Sequence, residues 1–430
     1  MAENRPIQIG ILGLGNVGSG VVRVLESNAE AIAHKAGGPI QVKRILVRDV
    51  AKARLVEIPP SLLTTDAQEI LADPEIDIVC ELIGGVEPAH RYVVEALERG
   101  KQVVTANKEL MARHGHAILA EAARHRRDVY FEAAVAGGIP LIRPLKVDLA
   151  GNRIARISGI LNGTTNYILT RMAAEGKEFS VALREAQELG YAEADPTYDI
   201  EGLDAAYKIA ILAAIAFQTP VDVTRVYHEG ITRISPRDIA HARELGYVIK
   251  LLATARDEGS AIDVRVHPAL VPQNHPLASV NDAFNAVLLN GDAVGDVMFY
   301  GRGAGSLPTG SAVVGDLIDV ARNIRFGATG RVPCVCNRNK PMRDIAELST
   351  ENYMRMLVKD QPGVIAAIAG VLGESRVSID AVVQKGTEGD LAEIVWITHP
   401  APESSFRGAL TRIAQLPVVH EICNVIRVER

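Results

Sequence analysis

Residues 7–12 (IQIGIL) are apolar and strand-like, and they run straight into Gly13-Leu14-Gly15-Asn16-Val17-Gly18, then a helix-like stretch to about Leu25. A G-x-G-x-x-G turn between strand and helix confines the chain to few folds. Its glycines permit a tight turn and let backbone N–H groups approach a pyrophosphate, which the helix N-terminus then faces. Strand-like runs recur at 41–47 (QVKRILV), 77–83 (DIVCELI), 101–105 (KQVVT) and 128–133 (DVYFEA). Helix-like runs lie between them, among them Pro88 to Arg99, with proline just inside its start and Gly100 just past its end. Alternation at this spacing predicts an α/β Rossmann-type domain, a doubly wound parallel sheet, over residues 1–140.

The end of the second strand bears on the nucleotide. An acid there suits the ribose 2′-OH of NAD, a cation the 2′-phosphate of NADP. The strand ends Val47-Arg48-Asp49, with Lys52 nearby. Arg48 favours NADP, whereas Asp49 would serve NAD. Lys108, in Thr105-Ala106-Asn107-Lys108-Glu109-Leu110, falls at the carboxyl end of the fourth strand, where open α/β sheets bind ligands. Phe131 to Pro140 then closes the domain in a small-residue turn. Glu132 with turned-out carbonyls would suit a small cation there, and a plain turn is the other reading.

Ala186 to Lys208 (AQELGYAEADPTYDIEGLDAAYK) places Glu193, Asp195, Asp199, Asp204 and Lys208 within sixteen positions. Gly190, Pro196 and Gly202 break the segment into turns, and the apolar IAILAAIAF follows. Ionised groups are costly to bury unless paired or used, so the cluster needs a purpose. Asp204 and Lys208, four apart, share a helix face. An exposed helical ion pair would explain them alone. Asp199 and Glu193 arriving from the preceding loop instead suit an amino-acid substrate, with carboxylates for an ammonium and a lysine for an oxygen. Around the cluster, 152–161 reads as a strand, and Asn162 and Ser235-Pro236 start helices. Apolar runs at 247–255, 262–271, 284–290 and 294–300 predict a mostly antiparallel sheet in an α+β domain over 141–327. Gly301 to Gly310 (GRGAGSLPTG) precedes an apolar helix at 311–322, which returns the chain to the first domain at about 308–330.

At 430 residues two or three domains are expected. A net charge of −6 argues against general affinity for nucleic acid or anionic membrane. No run of 18 uncharged apolar residues spans a membrane, and the start lacks the plan of a signal peptide. Four cysteines suit a reducing cytoplasm. The Cys334–Cys336 pair has no further ligands nearby, so it reads as connector rather than zinc site.

These residues resemble homoserine dehydrogenase, in its long bacterial form with a C-terminal regulatory domain. The pattern A-x3-G, then D-P-x2-D-[ILVM]-x-G-x-D-x3-K, is met by Ala186, Gly190, Asp195, Pro196, Asp199, Ile200, Gly202, Asp204 and Lys208. TANKEL, ILNGTTNYIL and GRGAGSLPTG look like blocks of the same family, and the resemblance covers essentially the whole chain. It implies reversible NAD(P)H-dependent reduction of L-aspartate 4-semialdehyde to L-homoserine, a step toward threonine, methionine and isoleucine. It assigns Lys208 as acid/base, with Lys108 near nicotinamide and substrate. Glu193, Asp199, Asp204 and Gly190 become substrate residues. Gly13, Gly15, Asn16, Val17, Gly18, Arg48, Thr105 and Gly305 become cofactor contacts. The Glu132 side chain and the carbonyls of Val135, Gly137 and Ile139 become a Na+ or K+ site. A homodimer or homotetramer is expected. The chemistry agrees, because an ammonium beside the reacting oxygen stabilises its charge and supplies its proton. A dehydrogenase for another small acid and a non-catalytic amino-acid sensor are the other readings. The pattern around Lys208 opposes the first, and retention of Lys108 and Lys208 opposes the second.

Residues 328–349 read as a linker. Strand, helix, two strands, helix and strand then follow over 350–430, a ferredoxin-like βαββαβ module. Asp360-Gln361-Pro362-Gly363-Val364, at its first strand–helix turn, resembles an ACT domain. That resemblance implies threonine as a feedback effector, with a purely structural, pairing role as the alternative.

Overall fold

A computed structural model describes residues 5–332 and 336–429, which leaves Cys334 outside the described residues. Its contacts divide the chain into two compact units. One comprises residues up to Ile157 with Tyr207–Thr224 and Asn285–Lys340; the other comprises Ser158–Ala206, Arg225–Phe284 and the residues from Pro341 on. The partition is interleaved.

The first unit is built on a six-stranded parallel sheet of β1 (Ile7–Leu12), β2 (Ile40–Leu46), β3 (Leu63–Thr64), β4 (Ile78–Glu81), β5 (Gln102–Thr105) and β6 (Val129–Tyr130), in the order β3-β2-β1-β4-β5-β6. β4 and β5 are buried throughout, as strands covered on both faces must be. Ile9, Ile11, Ile45, Ile78 and Val104 of the sheet pack with Val21 and Leu317 of the Asn16–Ser27 and Ser306–Arg325 helices. The Ser306–Arg325 helix thus shares this core. Its helix begins at Ser306 rather than 311, because Pro308 lies in the first turn, where a missing N–H costs nothing. The two-residue strand β3 and the short helix Ala29–Ala36 carry too little pattern to be read from sequence.

In the second unit, Tyr247–Asp257 and Ile262–Pro272 form a long antiparallel pair. Tyr227–His228 joins the latter strand in parallel. On the same strand Ala269 and Leu270 pair with Arg427 and Val428 of the last strand, Val419–Val428. That strand pairs with Ser349–Lys359, which pairs with Leu391–Thr398, and this with Ile379–Glu388, all antiparallel. Numbered within the module the order is 4-1-3-2, the ferredoxin-like arrangement expected. Helices Val364–Glu374 and Glu403–Ile413 bury Ile368, Leu372, Phe406 and Ile413 against Met354 and Trp396. Among the described residues no helix is long and apolar enough to cross a membrane.

Candidate active site

The strand order of the parallel sheet reverses between β1 and β4, and such a switch point opens a crevice at the carboxyl ends. The Gly13–Gly18 turn leaves β1 there. Gly13 has φ +102°, and a Cβ on it would stand 2.8 Å from the Leu82 carbonyl oxygen just past β4. Only glycine keeps the turn this close. Gly15 caps the Asn16–Ser27 helix and has open space on its Cβ side, where a phosphate can approach the backbone. The Ser306–Arg325 helix crosses this one so closely that a Cβ on Gly310 would lie 2.6 Å from the carbonyl carbon of Gly20. Ser306 Oγ donates to the Asn16 carbonyl at 2.6 Å. Gly305, Asn16 and the glycine turn therefore share one edge. Arg48 and Asp49 are exposed beyond β2; the Asp49 carboxylate accepts the Ala51 N–H at 2.8 Å.

Lys108 is the first residue of the Lys108–Arg124 helix, at the carboxyl end of β5. A buried network sets that start. Glu81 accepts from Thr105 Oγ1 at 2.6 Å and from Ile83 N–H at 2.8 Å, and Thr105 Oγ1 accepts the Asn107 N–H at 3.0 Å. Asn107 caps the helix through the Leu110 N–H (3.0 Å) and donates to the Gly85 carbonyl (2.6 Å). Burial pushes the Glu81 carboxyl up against these hydrogen bonds. Thr105, expected at the cofactor, is fully buried with its hydroxyl committed to Glu81. Glu81 carries no signal of its own in the sequence, where its place in a strand accounts for it.

Asp204 and Lys208 lie one turn apart on the Leu203–Phe217 helix, and both are buried. Gly202, φ +84°, forms the turn before it and donates its N–H to the Asp199 carbonyl at 3.1 Å. Asn162 ties the acids together. Its Nδ2 donates to Asp199 Oδ1 at 2.7 Å and to Asp204 Oδ2 at 2.9 Å, using both N–H bonds. Its Oδ1 accepts the Thr165 N–H at 2.8 Å and so caps the Gly163–Glu175 helix. Thr164 Oγ1 lies 3.0 Å from Asp199 Oδ2 and 2.6 Å from the Tyr191 carbonyl. In the sequence Asn162 shows only as a helix cap, and Thr164 carries no separate signal. Glu193 is exposed, and Gln187 holds its backbone carbonyl at 3.1 Å. Gly190, φ +76°, follows the end of the Phe179–Glu188 helix.

Glu132 caps the start of a helix. Its buried carboxylate accepts the N–H groups of Leu141 (2.5 Å), Ile142 (2.8 Å) and Arg143 (2.7 Å) at the start of the Ile142–Lys146 helix. Its own N–H donates to Asp316 at 2.9 Å, and burial together with the Glu132 charge holds the Asp316 carboxyl well above its ordinary range. A cation at the Glu132 carboxylate would share it with three amides. Val135, Gly137 and Ile139 are buried in the turn that follows. Among the described residues no three His, Cys, Asp or Glu side chains cluster to hold a metal. In the C-terminal module, Asp360, Gln361 and Gly363 line a cleft of about 480 Å³ with Lys359 and Gln384.

A dinucleotide turn at a switch point, a lysine at a strand end, and a helix that carries an acid and a second lysine one turn apart fit a nicotinamide-dependent oxidoreductase with an added C-terminal module. Comparison with known proteins narrows the class. Models of the homoserine dehydrogenase NAD-binding domain, the homoserine dehydrogenase domain and the ACT domain match residues 13–132, 140–318 and 353–418. Homoserine dehydrogenase of Bacillus subtilis is 45% identical over 99% of both chains, and that of a Synechocystis species 48% identical over 98% of this chain and 99% of its own. The crystal structure of a homoserine dehydrogenase from Thiobacillus denitrificans superposes with a TM-score of 0.93 at 46% identity, over 99% of this chain and 98% of that one. The chain belongs to the homoserine dehydrogenase family.

Proposed function

We propose that this enzyme interconverts L-aspartate 4-semialdehyde and L-homoserine, with Lys208 as the acid/base. The observation that carries this reading is the pair of carboxylates, Asp199 and Asp204, bridged by Asn162 one helical turn from the buried Lys208. Fixed carboxylates hold a substrate ammonium, which orients the far end of a four-carbon amino acid. Glu193 and Gly190 complete the substrate segment. A bound nicotinamide supplies the hydride in reduction and accepts it in oxidation. Lys208 as an ammonium stabilises charge developing on the aldehyde oxygen and passes its proton to that oxygen; as a neutral amine it takes the proton back from the hydroxyl. Lys108 adds a second positive charge at the nicotinamide end. The exposed Arg48 at the end of β2, with Asp49 occupied in its own loop, supports NADP as the preferred form.

Three further features belong to this reading. A Na+ or K+ ion is held by the Glu132 side chain and the carbonyls of Val135, Gly137 and Ile139. Threonine binds the cleft at Asp360–Gly363 and slows turnover. The working form is a homodimer or homotetramer. The test is Lys208→Ala. Turnover of homoserine should collapse about 10²–10⁴-fold, the range for a lost general acid/base, while affinity for the nucleotide is kept. Unchanged turnover would remove Lys208 from the chemistry; absence of homoserine turnover in the wild type would return the sensor and other-substrate readings.

A further inference from the structure

We infer that Arg427 and Glu229 are positioning residues for the substrate carboxylates, acting through the turn that separates Asp199 from Asp204. The inference rests on the proposed role of those two acids. Arg427 is buried in the last strand, its backbone in register with Ala269. One guanidinium nitrogen donates to Glu229 Oε2 at 3.0 Å. The other bonds Glu403, at the start of the Glu403–Ile413 helix, and lies 3.3 Å from Tyr227 Oη. The guanidinium also sits 4.9 Å from the centroid of the Tyr227 ring. Tyr227 Oη donates to the same Glu229 oxygen at 2.9 Å, so a half-buried glutamate is held from two sides.

Glu229 in turn fixes the backbone that braces the site. Its N–H donates to the Val266 carbonyl at 2.9 Å. Two residues on, the Ile231 N–H donates to the Ile200 carbonyl at 2.9 Å. Between them Gly230 presses on Ile200 and Glu201; a Cβ there would lie 2.7 Å from the Glu201 Cα and collide with the Ile200 carbonyl oxygen. A Cβ on Gly202 would stand 3.4 Å from the Glu229 carbonyl oxygen. Gly202 closes the turn, accepting the Ala206 N–H at 3.0 Å while donating to Asp199. The contacts thus run from Arg427 through Glu229 and Gly230 to the backbone that sets the spacing of Asp199 and Asp204. Apolar packing would stabilise the fold as well as a buried ion pair does, but it would not fix direction in the way a forked guanidinium does. Small displacements of substrate-holding groups cost binding and rate out of proportion to their size.

The experiment compares the wild-type full chain with Glu229→Gln, Arg427→Lys and Arg427→Met in steady-state homoserine oxidation, with melting temperatures alongside. Glu229→Gln changes a half-exposed side chain by one charge, so it keeps the test alive should Arg427→Met fold poorly. The expected result is a KM for homoserine raised roughly three- to tenfold in Glu229→Gln, kcat within about twofold and KM for the nucleotide unmoved. Arg427→Lys, which keeps the charge without the fork, should fall between wild type and Arg427→Met. A wild-type KM for homoserine in Glu229→Gln and Arg427→Lys overturns the inference. So does an equal rise in both KM values together with a lowered melting temperature, which reports general loosening. If wild type oxidises no homoserine, the functional reading fails and takes the inference with it; normal wild-type turnover with unmoved variants sinks the inference alone.

Discussion

Asn162 uses all of its carboxamide: both N–H bonds go to carboxylates and the oxygen caps a helix. That arrangement separates two substitutions that look alike. Aspartate keeps the cap, since its oxygen accepts the Thr165 N–H as well as asparagine does. It also sets a third carboxylate against Asp199 and Asp204. Asn162→Asp should therefore lower kcat/KM for homoserine by more than Asn162→Ala does, with the smaller loss of melting temperature of the two. The reverse order in kcat/KM would mean that the bridge does not matter. The acids themselves were legible in the sequence, because five ionisable groups before an apolar helix demand an explanation. The bridge was not, because Asn162 is 37 and 42 residues from its partners and its cap already explained it. Glu132 has a second task that patterning does not show, because its carboxylate accepts three amides of a short helix.

Among the elements, the Pro236–Glu244 helix ties the C-terminal module to the rest of its unit. Ser235 and Asp238 form a capping box at the helix start expected at Ser235-Pro236. Asp238 is also fully buried against Arg355 of the Ser349–Lys359 strand, 2.7 Å away, with Asn424 at 2.9 Å. Burial alone would raise its carboxyl, but Arg355, Asn424 and Ser235 outweigh it and hold it below the usual range. A depressed carboxyl stabilises the fold above the unfolded-state pKa and loses that contribution as pH falls through the folded value. Asp238→Asn should thus cost about 3 kcal/mol at pH 7, the scale of breaking a buried pair. The wild-type advantage in denaturant midpoint should shrink below about pH 4. An advantage constant down to pH 3 would contradict the assignment. The Ser306–Arg325 helix makes a steric case. Its first turn looked like loop because it contains Pro308 and Gly310, yet Gly310 is there to let Gly20 approach. Gly310→Ala should lower stability by about 1–3 kcal/mol, as overpacking does, and weaken nucleotide binding with it. Binding and melting temperature both at wild-type values would show that the two helices can part freely.

Over the whole molecule, the parallel sheet and the βαββαβ module were legible because strand and helix alternate locally and each unit of pattern is short. The interleaving of Tyr207–Thr224 with the first unit was not, since it depends on contacts far apart in sequence. The chemistry also has a signature that belongs to the intact enzyme. On the proposed role of Lys208, oxidation needs its neutral amine and reduction its ammonium, and a lysine ordinarily titrates near 10.4. Homoserine oxidation should therefore rise from pH 7 to pH 9 in the folded protein, and a falling rate would oppose Lys208 as base. The most direct measurement is absorbance in the reduced-nicotinamide band after L-homoserine is added with NADP or NAD in turn, with potassium or sodium present, at pH 7 and pH 9. Homoserine-dependent growth of the band, faster with NADP and faster at the higher pH, is the predicted result. No growth with either nucleotide at either pH would contradict the account.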